Sequence, residues 1–283
     1  MLKVFGFVRR HPNLTHDEYR TGHVGYHNSF GRRLNNIRGY LLNVRANTPI
    51  EETLGAELVD QITMEEPPGF DDLWDGWGQL LFDSLDDYLA ARSPARDMAG
   101  PEGLQMDPGV AGVGGDFEYL YGGSPFQFHV AENVVVPVVR PERKLFKLVQ
   151  FVKRPDGLEP ELFRAYLSGR YARAAATMAG LWGLLVNVRT DVDVMTHFFA
   201  PDAEGFTPEG TAIRERFFSG WDAMIEYWLE SPADFVASRA AGRAAEQLAE
   251  LEKTLMSRSF FREVDETVAV LPNRAPPPPF YHR

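Results

Sequence analysis

FVRR at 7–10 and YLLNVR at 40–45 recur as FVKR at 151–154 and LLVNVR at 184–189, both displaced by 144 positions. The residues between them keep the same register, with Leu14 falling on Leu158 and Tyr19-Arg20 on Phe163-Arg164. At a displacement of 147, Trp74-Asp75 falls on Trp221-Asp222 and FDSLDDYLA (82–90) on LESPADFVA (229–237). A third match sets VAENV (130–134) over VDETV (264–268). Chance rarely produces three matches in one order, so the chain reads as two copies of one unit. The 283 residues then divide into a first copy at 1–138 and a second at 144–271, linked by the proline-flanked PVVRPER at 137–143. A Gly- and Pro-rich insert at 93–125 interrupts the first copy, and a Pro-rich arm at 272–283 follows the second.

Period and punctuation give each copy the same elements. In the first, LKVFGFVRR is a strand, and Thr15 with Glu18 three residues on is a capping box opening a helix to about Asn36. YLLNVRAN and WGQLLFDS are strands, Ser84 caps a helix to about Arg92, and FQFHVAENVVV is a fourth strand. The second copy offers KLFKLVQFVKR, a helix over 159–178, LWGLLVNVRT, AMIEYWLE, a helix from Ser231 and FREVDETVAV. The order βαββαβ specifies a ferredoxin-like unit, an antiparallel sheet with both helices on one face. Its other face is bare, and two fused units cover each other. The expected class is α+β, with tandem repeats forming an intramolecular eight-stranded barrel.

Composition excludes several chemistries. Without cysteine there are no disulfides, thiolate metal sites or thiol nucleophiles. A formal net charge of -11 disfavours nucleic acid and anionic membrane. No run approaches the roughly 18 apolar residues of a membrane span. MLKVFGFVRRHP lacks the layout of a secretory leader, so a cytoplasmic protein is expected. PGVAGVGGD lacks the Lys-Ser/Thr of a phosphate loop, and no G-x-S-x-G elbow is present.

The pattern of Arg9-Arg10, Leu14, Glu18-Tyr19 and His27 resembles the EthD-like family of the dimeric α+β-barrel superfamily. The second copy matches it with Lys153-Arg154, Leu158, Phe163 and Tyr166, but has Tyr171 where the histidine falls. The family's tryptophan four positions before that histidine is His23 in the first copy and Leu167 in the second. The resemblance spans nearly the whole chain and implies the barrel fold. Its relatives include cofactor-free oxygenases, isomerases, cyclases, lyases and haem proteins, so fold alone names no reaction.

Tyr19, His23, Tyr26, His27, Phe30, Leu34 and Ile37 recur at spacings of three and four, one stripe expected to face the sheet. An imidazole on such a face is kept neutral by desolvation, the state a general base requires. His27 is expected to be the catalytic base and His23 its orienting or substrate-binding partner. Tyr19, Tyr26, Phe30, His129 and Tyr171 are the expected substrate contacts, with structural packing the favoured role for Tyr171. His23-x-x-x-His27 is also a helical metal-pair spacing, but further ligands would have to come from Asp83, His129 or Glu132, and no metal and no cofactor is expected. The aromatic content of 12% suits a flat apolar ligand. These residues point to a cofactor-independent lyase or isomerase moving a proton on a hydrophobic aromatic or polycyclic small molecule. The alternatives are a cofactor-free monooxygenase and a non-catalytic binder of a hydrophobic metabolite. An unpaired barrel edge and the proline arm are compatible with a homodimer.

Overall fold

The computed structural model describes residues 1–32, 34–92, 117–199 and 201–272. The insert from 93 to 116 and the arm from 273 onward lie outside the described residues. Eight strands are formed: β1 (Leu2–Val8), β2 (Gly39–Arg45), β3 (Gly76–Phe82), β4 (Phe126–Val136), β5 (Phe146–Lys153), β6 (Leu181–Arg189), β7 (Ala223–Leu229) and β8 (Arg258–Val270). All pair antiparallel and close into a barrel in the order β1-β3-β2-β8-β5-β7-β6-β4. The first four strands therefore lie in the order β4-β1-β3-β2 and the last four as β8-β5-β7-β6. Two seams join these halves, β2 to β8 and β4 to β6. Closure satisfies every strand edge, which removes the unpaired edge expected to support a homodimer.

Side chains alternate across the barrel wall. Facing inward, Phe5, Phe7, Trp77 and Phe128 of the first half meet Phe151, Trp221 and Phe260 of the second in one aromatic cluster. Leu2, Val4, Leu80 and Phe82 face outward against Leu34, Ile37 and Tyr88. On the opposite side Leu148, Val152, Ile225 and Tyr227 face outward against Phe163, Leu167 and Leu248. Ile50, Leu54 and Leu58 join that second outer core from the helices Ile50–Leu54 and Ala56–Ile62. Those two helices, and Pro208–Ser219, occupy connections for which the sequence gives no period.

One inward position on every strand is polar. Lys3 (β1) reaches Glu132 (β4) at 2.6 Å, Asn187 (β6) at 2.9 Å and Glu226 (β7) at 3.2 Å. Lys147 (β5) reaches Asn43 (β2) at 2.7 Å, Glu226 at 2.8 Å and Glu266 (β8) at 2.7 Å. Gln79 (β3) completes the set by donating to Glu226 Oε1, the oxygen that also accepts from Lys147. Residues matched by the sequence repeat fall at matched places, Lys3 with Lys147, Asn43 with Asn187, Gln79 with Glu226, and Glu132 with Glu266. Burial raises the cost of charging Glu226, but Lys147 and Lys3 outweigh it and hold its carboxyl at about 2.

The capping box forms as expected: Thr15 Oγ1 accepts from the Glu18 amide at 3.3 Å, and Glu18 accepts from the Thr15 amide at 2.8 Å. Ser84 likewise accepts from the Asp87 amide at 3.1 Å. The helix after the capping box is not regular. His16–Thr21 is α-helical, Gly22–His27 is π-helical, and Asn28–Gly31 closes with an α turn. It ends before the expected Asn36, which takes a left-handed φ of 62° that a continuing helix cannot hold. The second half repeats the device, with Pro160–Tyr166, a π turn at Leu167–Tyr171 and Ala172–Ala175. Among the described residues, no helix is long and apolar enough to cross a membrane.

Candidate functional site

On the outer face of the first half, a cleft opens between the strands and the helix that carries the π turn. Its floor is made by absence. Gly6 of β1 and Gly78 of β3 are directly paired across the ladder, so two neighbouring positions present bare backbone. Glycine inside a strand weakens it and commonly marks close approach by another group. Val8, Leu80, Leu34, Tyr40 and Pro125 form apolar walls, and His23, His27, Tyr121 and Gln127 supply the polar atoms. Counted out to its mouth, the cleft holds about 510 Å³ of atom-free space. The room left for the centres of water-sized groups is about 50 Å³, so the cleft is narrow.

The π turn sets the histidines. With more than four residues per turn, His23 and His27 come nearly into line, their rings parallel within 7° and 5.4 Å apart. Tyr19 stacks on the other face of His23 at 5.2 Å. Tyr121 stands edge-on to both imidazoles, and its hydroxyl lies 2.8 Å from His23 Nδ1. His23 is 1% exposed, and its Nε2 is buried with no hydrogen-bond partner among the described residues. Burial drives its pKa well below the usual imidazole range, and His27 adds to the shift. His23 is therefore neutral at pH 7. His27 lies nearer the mouth, half-buried.

Gln127 closes the inner end. Its Oε1 accepts from the Tyr88 hydroxyl at 2.5 Å. Tyr88 comes from the helix Leu85–Arg92. With the carbonyl end engaged, the amide nitrogen lies beside Gly6, 3.8 Å from where a Cβ there would stand. No Lys, Arg, Asp or Glu lines the cleft among the described residues.

The other expected contacts fare unevenly. Tyr19 is fully buried and meets the cleft through His23 and Tyr121. Tyr26 is 53% exposed, because the π turn breaks the 3.6-residue period and rotates it outward, correcting its place on the inner stripe. Phe30 lies in the final α turn, but its side chain is outside the described residues. His129 shares the outer face of β4 with Gln127 but does not line the cleft, its Nδ1 2.7 Å from the Thr190 hydroxyl. Glu132 is held by Lys3, and among the described residues no three His, Asp or Glu side chains gather as a metal site. Tyr121, Gln127, Gly6 and Gly78 were not among the expected site residues. The glycines had a signal, their place in the middle of alternating strands.

A scan of protein-family models finds no match to the sequence, and a search of curated proteins finds none. Solved structures do match. An anthrone oxidase-like protein superposes with a TM-score of 0.51 at 9% identity, over 95% of this chain and 93% of that one. A candidate monooxygenase of Fusobacterium nucleatum superposes with a TM-score of 0.51 at 6% identity, over 98% and 95%. The fold is that of the dimeric α+β barrels. Here one chain supplies all eight strands of that barrel.

Within this α+β barrel the corresponding place in the second half is filled. Gly6 is matched by Gln150, Gly78 by Ile225, His23 by Leu167 and His27 by Tyr171. The Tyr171 hydroxyl lies 2.8 Å from both Gln150 Oε1 and Glu252 Oε1, and Tyr227 donates to Gln150 at 2.7 Å. Arg239 clamps Glu252 at 2.6 and 2.9 Å. Tyr171 is thus a packing residue of the second half, remote from the expected substrate role.

Proposed function

We propose that the first-half cleft is the active site of a cofactor-independent lyase or isomerase that moves a proton on a hydrophobic aromatic or polycyclic small molecule. The observation that carries this reading is one atom: His23 Nε2, on a neutral imidazole lining an apolar cleft, buried and unpaired. A buried polar nitrogen without a partner is costly, and a substrate proton would satisfy it. Because His23 is the deeper ring and is fixed by Tyr121, it is the better base; His27, expected for that role, acts beside it at the mouth. The expected outcome is that His23→Gln folds normally and loses turnover by 10²-fold or more, the scale of a positioned general base. Full activity in that variant would reject the assignment.

A second reading is favoured by the names of the two fold neighbours. In a cofactor-free monooxygenase the same base would generate a substrate carbanion that reacts with dioxygen. Oxygen consumption during turnover of polycyclic ketones and hydroxyarenes separates the two, since elimination and isomerisation consume none. We further propose that the chain is a duplicated ferredoxin-like unit of the EthD-like type, with one cleft kept and the other filled. Support comes from the two half-orders of strands, the paired π turns and the polar residues matched between halves.

A further inference from the structure

We propose that the cleft takes an uncharged, flat aromatic ketone, and that the Gln127 amide donates to the ketone oxygen as His23 removes a proton from the adjacent carbon. This rests on the proton-transfer reading of the same site and adds the substrate class and a second catalytic group. Three observations lead to it.

The first is charge. Among the described residues the lining contains no cation and no carboxylate. A carboxylate or phosphate on the ligand would be desolvated without a counter-charge, a cost of several kcal/mol. The site therefore selects neutral molecules. Second is shape. Gly6 and Gly78 let Gln127 and the Tyr40 ring pack down on the strands, and Tyr40, Tyr121 and the parallel His23 and His27 rings line a narrow cleft, which suits a thin planar ring system.

The third is the orientation of Gln127. Tyr88 occupies the amide oxygen, so the end that remains beside the glycine floor is the N–H donor end. An amide donor lining the same cleft as a neutral imidazole is suited to stabilise charge developing on oxygen. In the step itself the Cα–H bond breaks, its proton passes to His23 Nε2, and its electron pair forms the C=C bond of an enolate. The carbonyl π pair moves onto oxygen, where Gln127 N–H meets it. Return of a proton from His23 to carbon closes the cycle, and no further reactant is consumed. Tyr88 is a positioning residue: it touches no substrate but fixes which end of the amide faces the floor.

The test needs no knowledge of the natural substrate. 1-Tetralone is a neutral two-ring ketone whose C2 protons exchange through its enolate, and exchange in D2O is read by proton NMR. The full-length protein is expected to bind 1-tetralone saturably and to exchange C2 at least 10²-fold faster than buffer. A ring-carboxylated tetralone is expected not to bind. Gln127→Glu keeps an acceptor for Tyr88 but loses the amide donor, and Gln127→Leu removes both. Each is expected to cut the saturated exchange rate by about 10²-fold, the scale of one lost oxyanion donor, while circular dichroism at the assay temperature stays native. Tyr88→Phe is expected to lower the saturated rate severalfold while leaving the half-saturating ketone concentration unchanged, a split that a purely structural role would not give.

The outcomes separate the two layers. If His23→Gln abolishes exchange but both Gln127 variants exchange as the wild type does, the donor role is overturned and the base stands. Undiminished exchange in His23→Gln overturns the base. Failure of 1-tetralone to bind, or equal binding of the carboxylated analogue, overturns the substrate class.

Discussion

His23 shows how little sequence separates the proposed base from a packing residue. Leu167 holds the matched place in the second half, and the helices around the two are alike to the π turn. What differs is what each meets. His23 meets Tyr121 and an open floor, whereas Leu167 sits in a closed apolar core. Because burial depresses the His23 pKa, the base is already deprotonated at neutral pH. The rate of turnover or ketone exchange should be flat from pH 6.5 upward, with its acid limb displaced below the usual imidazole range. A limb centred at or above 6.5 would contradict this. Folding follows the same sign. A histidine whose folded pKa is lowered contributes full stability above its unfolded value of 6.5 and loses it as pH falls below. The floor offers a cleaner lesion. A Cβ on Gly6 would lie 3.6 Å from Gln127 Cγ, an ordinary contact. Gly6→Ala should therefore keep the fold, with a melting temperature within a few degrees, while ligand affinity drops at least 10-fold by titration.

At the scale of elements, the first helix and β2 are fitted to each other through one missing methyl. Gly31 lies against the buried Tyr40 ring so closely that a Cβ would overlap it. The matched pair in the second half is Ala175 over Leu184, a larger helix residue over a smaller strand residue. Gly31→Ala should cost about 1–3 kcal/mol by overpacking. Adding Tyr40→Leu should recover part of it, so a double-mutant cycle by chemical denaturation should show coupling above about 0.5 kcal/mol. Additive losses would mean the two positions do not communicate. The elements themselves were largely legible. β4 occupies FQFHVAENVVV as read from alternation, and both Thr15 and Ser84 cap where the spacing places them. Tyr26 was not legible, because a π turn changes the period without a residue type that announces it.

For the whole molecule the governing feature is the polar belt inside the barrel. Lys147 pairs with Glu226 and Glu266, all three out of water, while Lys3 supplies a second cation to Glu226 and Arg140 one to Glu266. Removing one partner of a buried pair leaves an uncompensated charge, so Lys147→Met should cost about 3–5 kcal/mol in denaturant unfolding. Loss of under 1 kcal/mol would show the belt to be incidental. Acid should act through the same groups. Glu226 is ionised in the folded protein down to about 2, against an ordinary 4.5, so its contribution is whole above pH 4.5 and fades as pH falls toward 2. Glu226→Gln should flatten the acid limb of stability across that window.

What the sequence by itself determined is the type and order of many elements: alternation set the strands, and spacing set the helix caps. Both are properties of local period, which a linear chain displays. Only the tertiary structure decided which half keeps a cleft and which residues meet in it. Tyr121 reaches His23, and Gln127 its cleft, from about a hundred positions away, and Lys3 finds Glu226 across the barrel. Such juxtapositions depend on register and closure around eight strands. A strand's sequence states which residues share a face, but closure alone decides what that face confronts.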